Sequence, residues 1–455
     1  MKETLINEYK SFLDKGKTER ECVCQIIEKA RTFGYKDISE YSELKVGDKV
    51  YITKMNKAIM LFNIGSENIE NGMNILGAHI DSPRLDCKQN PLIEKDFIVY
   101  LNTHYYGGIK KYQWVTIPLA LHGVICKTDG TTVNVNIGES LEDPVFCISD
   151  ILPHLAQDQL KKSAAEVISG EDLDVIFGSS IPIKKSDKTD NTEKTDSKPE
   201  DVKAKGKKVI LDLLKQKYDI EEKDLESAEL EIVPAGNARD LGLDRALVLA
   251  YGQDDRSCAF ASFKAMVETA NVNKTTCCIC VDKEEIGSVG ATGMASHVFE
   301  NAVAEVIAKL LPYNDLVLRR CLANSNMLSS DVNAAFDPMN AGLYDKDNTS
   351  FLGGGIVFNK YTGSRGKSGA SDANPEFIAK LRKIMKDANI SYQMAELGKV
   401  DQGGGGTIAY LAAKYGMNVI DAGVAVLSMH APWEIVSKED IFQAYNCYKA
   451  FLNAM

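Results

Sequence analysis

Apolar and polar positions along the chain follow two rhythms. Thr18-x-x-Glu21 forms a capping pair ahead of apolar residues at Cys22, Ile26, Ile27 and Ala30, which predicts a helix from about Thr18. Short β-patterned runs follow at 49–54, 58–64 and 73–78 and predict strands. Between 88 and 232 the pattern changes to β-like pieces at 97–101, 115–125 and 132–137, joined by turns such as Tyr105-Tyr106-Gly107-Gly108. Strands and helices then alternate again. A strand at 246–251 leads to an amphipathic helix through Phe260, Phe263, Met266 and Val267, and a dense β run occupies 275–281. Further on come a helix at 296–311, strands at 320–327 and 355–361, and a helix at 374–388. The loop at 403–406 opens a short helix, 419–427 reads as a strand, and a last helix starts at the Ser437-x-x-Asp440 cap. This alternation predicts an α/β fold, a mostly parallel sheet sandwiched by helices.

At 455 residues the chain is too long for one core. The expected division is a discontinuous domain, 1–87 with 233–455, interrupted by an inserted β-rich domain at 88–232. Within the insertion, 184–208 is almost all Lys, Asp, Thr, Ser and Glu and is expected to be a mobile charged loop. Hydrophobic content of 44% and charged content of 26% suit a soluble globular protein. A net charge of −11 argues against nucleic-acid or anionic-membrane partners. No eighteen-residue apolar run or apolar signal core is expected to engage a membrane. The eleven cysteines, three of them crowded at 277, 278 and 280, suit a reducing cytoplasm. A thiolate zinc site there lacks a second cysteine pair at finger spacing.

The chemistry gathers at strand ends. Glu284-Glu285 follows the 275–281 run, and two adjacent carboxylates repel unless a cation meets them. With a metal present, one carboxylate ligates while the other handles the proton of a water. Without one, the pair is a solvated acidic turn. His79 leaves its strand two residues before Asp81, a spacing that lets imidazole face a metal while the carboxylate orients it. Asp254, Asp331 and His430 also follow predicted strands, and such ends converge on one edge of a parallel sheet. Two histidines and three carboxylates suit two divalent metals about 3.5–4 Å apart with a shared water.

The ordered set Gly77-Ala78-His79-Ile80-Asp81-Ser82-Pro83, Asp254-Asp255-Arg256, Asp282-Lys283-Glu284-Glu285-Ile286-Gly287-Ser288, Ser330-Asp331, 402–407 and Ser428-Met429-His430 resembles the aspartyl aminopeptidase and vacuolar aminopeptidase I family of dizinc exopeptidases. The resemblance runs along essentially the whole chain. It implies that Asp254 bridges two ions, most readily zinc, with cobalt or manganese as alternatives. His79 and Asp331 would complete one ion, Glu285 and His430 the other. Glu284 would be the general base and acid, and Asp81 the partner of His79. The resemblance also implies short peptides with a free N-terminus as substrates, and a homo-oligomer, often a dodecamer, built through the insertion as a dimerisation domain. A preference for acidic N-terminal residues would need a cation; Lys360, Arg365 and Lys367 are candidates, and His154 resembles a histidine lent by a neighbouring subunit. His104, His122 and His297 carry no motif.

Besides a deacylase or carboxypeptidase, which would keep the metals and change the bond cleaved, two rivals stand beside this reading. Gly363-Ser364-Arg365-Gly366-Lys367-Ser368 lies between a strand and a helix and invites an NTP-binding loop, but Tyr361 occupies the position where that loop needs its first glycine. A shell-forming protein without catalysis is the other, and no member of the metal and base set is missing.

Overall fold

A computed structural model of the chain describes residues 2–179, 206–363 and 368–454. Contacts divide the chain into two compact units, 1–82 with 237–455, and 83–236. The insertion therefore starts ahead of the strand Arg84–Lys95 rather than within it.

The discontinuous unit is built on a nine-stranded sheet in the order 36–37, 49–54, 58–63, 276–281, 74–79, 326–329, 418–423, 356–359, 392–394. Its centre is parallel. Asn74–His79 runs parallel to Thr276–Val281 on one side and Asn326–Ser329 on the other, and the latter runs parallel to Asn418–Gly423. Both faces are covered, which explains the dense apolar run at 276–281. Cys278 and Cys280 pack on one face with the helices Lys2–Lys15, Gln253–Glu268 and Lys438–Ala454. Cys277, Ile279 and Val281 pack on the other with Val298–Leu310 and Asp315–Ala323. All eleven cysteines are free thiols, so the crowded three are core side chains at alternating strand positions. Each large side chain buried here contributes ~1.5–3 kcal/mol.

Several elements differ from the sequence expectation. Lys2–Lys15 is a helix whose Leu5, Ile6, Tyr9, Phe12 and Leu13 are buried. The expected strand at 320–327 is instead the end of the helix Asp315–Ala323 followed by Asn326–Ser329. Asn314 caps that helix through Leu316 N at 2.8 Å, and Leu318, Cys321 and Leu322 form its buried stripe. The expected strand at 419–427 breaks at Val424, and its two halves, Asn418–Gly423 and Ala425–Leu427, join different sheets. Ser437 does cap the last helix, accepting from Glu439 N at 3.2 Å. Asp440 turns away, accepting the amides of Gly353 and Gly355, each at 2.8 Å.

A second, five-stranded sheet in the same unit has the order 239–241, 247–250, 434–437, 425–427, 333–334. The strands that precede Asp254 and His430 belong here and not to the large sheet. One parallel edge therefore does not present all five metal-capable positions; two sheets share the task.

The unit at 83–236 holds a six-stranded antiparallel sheet in the order 132–137, 119–126, 228–234, 84–95, 98–106, 175–179, with the helix Gly206–Tyr218. Of the expected charged loop at 184–208, positions 184–205 lie outside the described residues, while 206–208 open that helix. Among the described residues, no helix is long and apolar enough to cross a membrane.

Candidate active site

The parallel register fixes half of the site. His79 pairs with Val281, and Gly77 with Ser329, so the chain leaves all three strands at one edge. His79, the Glu284–Ile286 turn and Asp331 emerge there. The smaller sheet supplies the rest. Leu247–Ala250 leads through Gly252 to Asp254, and Ala425–Leu427 leads to His430. Gly252 has φ +69°, and a Cβ there would stand 2.3 Å from the Arg256 guanidinium and 3.0 Å from Ser82 Oγ, so a larger residue cannot bring the chain through.

Asp254 lies at the centre. Its Oδ1 is 3.3 Å from His79 Nε2, and its Oδ2 is 3.2 Å from His430 Nε2. His430 Nε2 is also 3.5 Å from Glu285 Oε2, while His79 Nε2 is 3.8 Å from Glu284 Oε2. His79, Asp254 and Asp331 offer ligand atoms within 4.8 Å of one another, as do Asp254, Glu285 and His430, and also His79, Glu284 and Glu285. All six sequence-derived metal and base candidates are therefore brought together.

Asp81 is fully buried and does more than face His79. Its Oδ1 is 3.2 Å from His79 Nδ1, and its two oxygens accept the amides of Glu284 and Glu285, each at 3.2 Å. One short side chain thereby ties the histidine to the carboxylate turn. Two residues escaped the sequence reading. Asp255 accepts His79 N at 3.2 Å, and Glu434 accepts His430 N at 2.8 Å and Asp254 N at 3.0 Å. Asp255 stands within a stretch that carries the resemblance and Glu434 four residues beyond another, yet no spacing marks a carboxylate that grips main-chain amides.

The electrostatics call for cations. Burial pushes the Glu284 carboxyl up to about 7 and raises Glu285 and Asp331 well above the carboxylate range, with neighbouring acids adding to it. Burial would also raise Asp254, but the imidazoles of His430 and His79 hold it below its usual value. Burial pulls the His79 imidazole down, and hydrogen bonds to Asp254 and Asp81 outweigh that and leave it well above its usual value. Four carboxylates thus face two imidazoles, and Glu285 Oε1 is buried without a hydrogen-bond partner. Nitrogen and oxygen donors in triads that share one carboxylate fit zinc and leave coordination positions open.

Asp254, Glu284, Asp331 and His430 line a cavity of about 690 Å³, into which Glu285 does not reach. Lys360 is absent from that lining; its Nζ donates to Tyr361 Oη at 2.8 Å. Arg365 and Lys367 lie outside the described residues. His154 is exposed in the turn Pro153–Leu155 of the other unit. His122 is buried against Glu139 at 3.1 Å, His297 pairs with Glu300 at 2.9 Å, and His104 is exposed.

Known proteins share this arrangement. The probable M18 family aminopeptidase 1 of Clostridium acetobutylicum is 57% identical over 98% of this chain and 93% of its own length. The crystal structure of aminopeptidase I from Clostridium acetobutylicum superposes with a TM-score of 0.88 at 55% identity, covering 98% of this chain and 94% of that one. The M18 aminopeptidase structure from Thermotoga maritima gives 0.92 at 40% identity over 100% and 97%. The mApe1 dodecamer of S. cerevisiae, at 20% identity and a TM-score of 0.75 over 98% and 95%, shares the fold. Residues 12–452 match the family described as aminopeptidase I zinc metalloprotease, which spans both sheets and every residue around Asp254. With that match joined to a donor set suited to zinc, the chain belongs to the M18 aminopeptidase family and is a zinc-dependent aminopeptidase.

Proposed function

We propose that the enzyme binds two zinc ions and removes N-terminal residues from short peptides. One ion is assigned to His79, Asp254 and Asp331, the other to Asp254, Glu285 and His430. The observation that carries this is the Asp254 carboxylate, with opposite oxygens 3.3 and 3.2 Å from two different imidazoles. Zinc held there would supply Lewis acidity toward the scissile carbonyl and lower the pKa of a water toward neutrality.

The side chains do the rest. Glu284 faces the cavity, takes the proton of the attacking water on its carboxylate and passes it to the leaving amine. Asp81 holds Nδ1 of His79, which leaves Nε2 to ligate, and fixes the Glu284–Glu285 turn through both amides. The free α-amino group of the substrate approaches the acidic cluster, which restricts cleavage to the N-terminal bond.

An acidic substrate side chain would need a cation. Among the described residues of the lining there is no Lys or Arg, whereas Asp372, Glu396 and Asp421 are present. The described part of the lining therefore favours a neutral or basic side chain over an acidic one, while Arg365 and Lys367, between the lining residues Gly363 and Ala370, lie outside the described residues. The eleven free thiols support a cytoplasmic site of action, and the yeast dodecamer supports a homo-oligomer; pairing of subunits by the insertion and a reach of His154 to a neighbouring chain belong to the same reading.

The test uses protein stripped by chelator and then given zinc, cobalt or manganese. Substrates are unblocked Asp-, Glu-, Leu- and Lys-anilides with N-acetylated counterparts. Activity should vanish on stripping, return with metal, require the free amine and be higher for Leu and Lys. Turnover that survives stripping, or cleavage of acetylated substrates, refutes the mechanism; preference for Asp and Glu refutes only the specificity.

A further inference from the structure

Glu434 opens the strand Glu434–Ser437 and is 1% exposed. Its position is set by the smaller sheet, where it pairs with Ala250, four residues before Asp254. Its two oxygens serve different masters: Oε1 accepts His430 N at 2.8 Å, and Oε2 accepts Asp254 N at 3.0 Å. The two residues so gripped face each other, with His430 Nε2 3.2 Å from Asp254 Oδ2.

Neither hydrogen bond belongs to a helix or strand ladder. His430 has φ +64°, a left-handed conformation that costs a non-glycine residue energy and persists only where surroundings impose it. Both amides can only donate, so each needs an acceptor oxygen, and the two oxygens of Glu434 supply one apiece. The same carboxylate ties down Asp254, so an error in one residue's placement is transmitted to the other.

We infer that Glu434 is a positioning residue: by clamping both amides it sets the spacing of Asp254 and His430, and so the affinity for the ion they share with Glu285. The inference rests on the two-metal reading above. Glutamine at 434 keeps the size and one acceptor oxygen but turns an NH2 donor toward the other amide. Aspartate is one methylene shorter and reaches a single amide.

Cobalt(II) titration of chelator-stripped protein, followed by visible absorption, tests this. Wild type should bind two ions. Glu434→Gln should keep the metal-free melting temperature within a few degrees while one of the two binding steps weakens about 10–100-fold and its absorption shifts. Glu434→Asp should weaken the same step. Asp440→Asn, which disturbs a similar two-amide clamp on Gly353 and Gly355, should lower melting without altering either step. Unchanged binding in Glu434→Gln overturns the inference and leaves the two-ion count intact. Failure of both Glu434 variants to fold also overturns it, because Glu434 would then be an ordinary core group. A wild type that binds one ion overturns both readings.

Discussion

Replacing Glu284 by Gln removes the proposed proton carrier while leaving nearly the same shape. Its carboxylate is 3.8 Å from the nearest imidazole nitrogen, and its side chain is 17% exposed toward the cavity. Glu285 differs: its side chain is 2% exposed, one oxygen lies 3.5 Å from His430 Nε2 and the other has no hydrogen-bond partner. General acid–base catalysis contributes about 10²–10⁴ in rate, or ~2.7–5.5 kcal/mol of barrier. Glu284→Gln should therefore lower kcat by that range, with KM within a few-fold and full metal content. Glu285→Gln takes a charged donor from a triad and should lose metal as well as activity. Elemental analysis run beside steady-state kinetics on an unblocked aminoacyl anilide reads both. Loss of metal from Glu284→Gln with retention by Glu285→Gln would mean the two roles are reversed, and a fall in kcat below tenfold would remove Glu284 from the proton path.

Other outcomes are expected. Zinc at one hundred times its dissociation constant should stabilise the protein by ~2.7 kcal/mol per site, measurable as a rise in melting temperature that chelator reverses. Asn314→Ala removes the cap that makes 315–323 a helix and should cost ~1 kcal/mol in urea unfolding, with metal content unchanged. Asp240 accepts from Lys438 at 2.8 Å and Lys10 at 2.9 Å, which hold its carboxyl down at about 2. A carboxyl whose folded pKa is depressed stabilises above its unfolded value near 4 and loses that contribution as pH falls through 2. The stability gap between wild type and Asp240→Asn should therefore close between pH 4 and 2; a gap independent of pH would contradict the ion pairs.

The legible part of the site is the part carried by neighbouring parallel strands. His79, Glu284, Glu285 and Asp331 each follow a β run in the large sheet, and strand ends bring such residues together. Asp254 and His430 were legible as residues but not as geometry. The runs at 246–251 and 419–427 look like any buried strand, and local alternation does not say which sheet a strand joins. The helix at 2–15 has a helical apolar spacing but no capping pair ahead of it, and the apolar run at 320–327 is short enough to satisfy both rhythms. Glu434 was invisible for a different reason: its partners are main-chain amides, which leave no side-chain pattern. Lys360 illustrates the converse, since a cation beside a strand end found a tyrosine hydroxyl rather than the cavity.

Because the donors are split between two sheets whose strands interleave along the chain, no contiguous fragment ending before His430 can assemble both triads. On the proposed two-ion reading, a chain still being synthesised lacks one triad until the segment carrying His430 has emerged and both sheets have formed. Capture of the second proposed ion would then report completed tertiary structure.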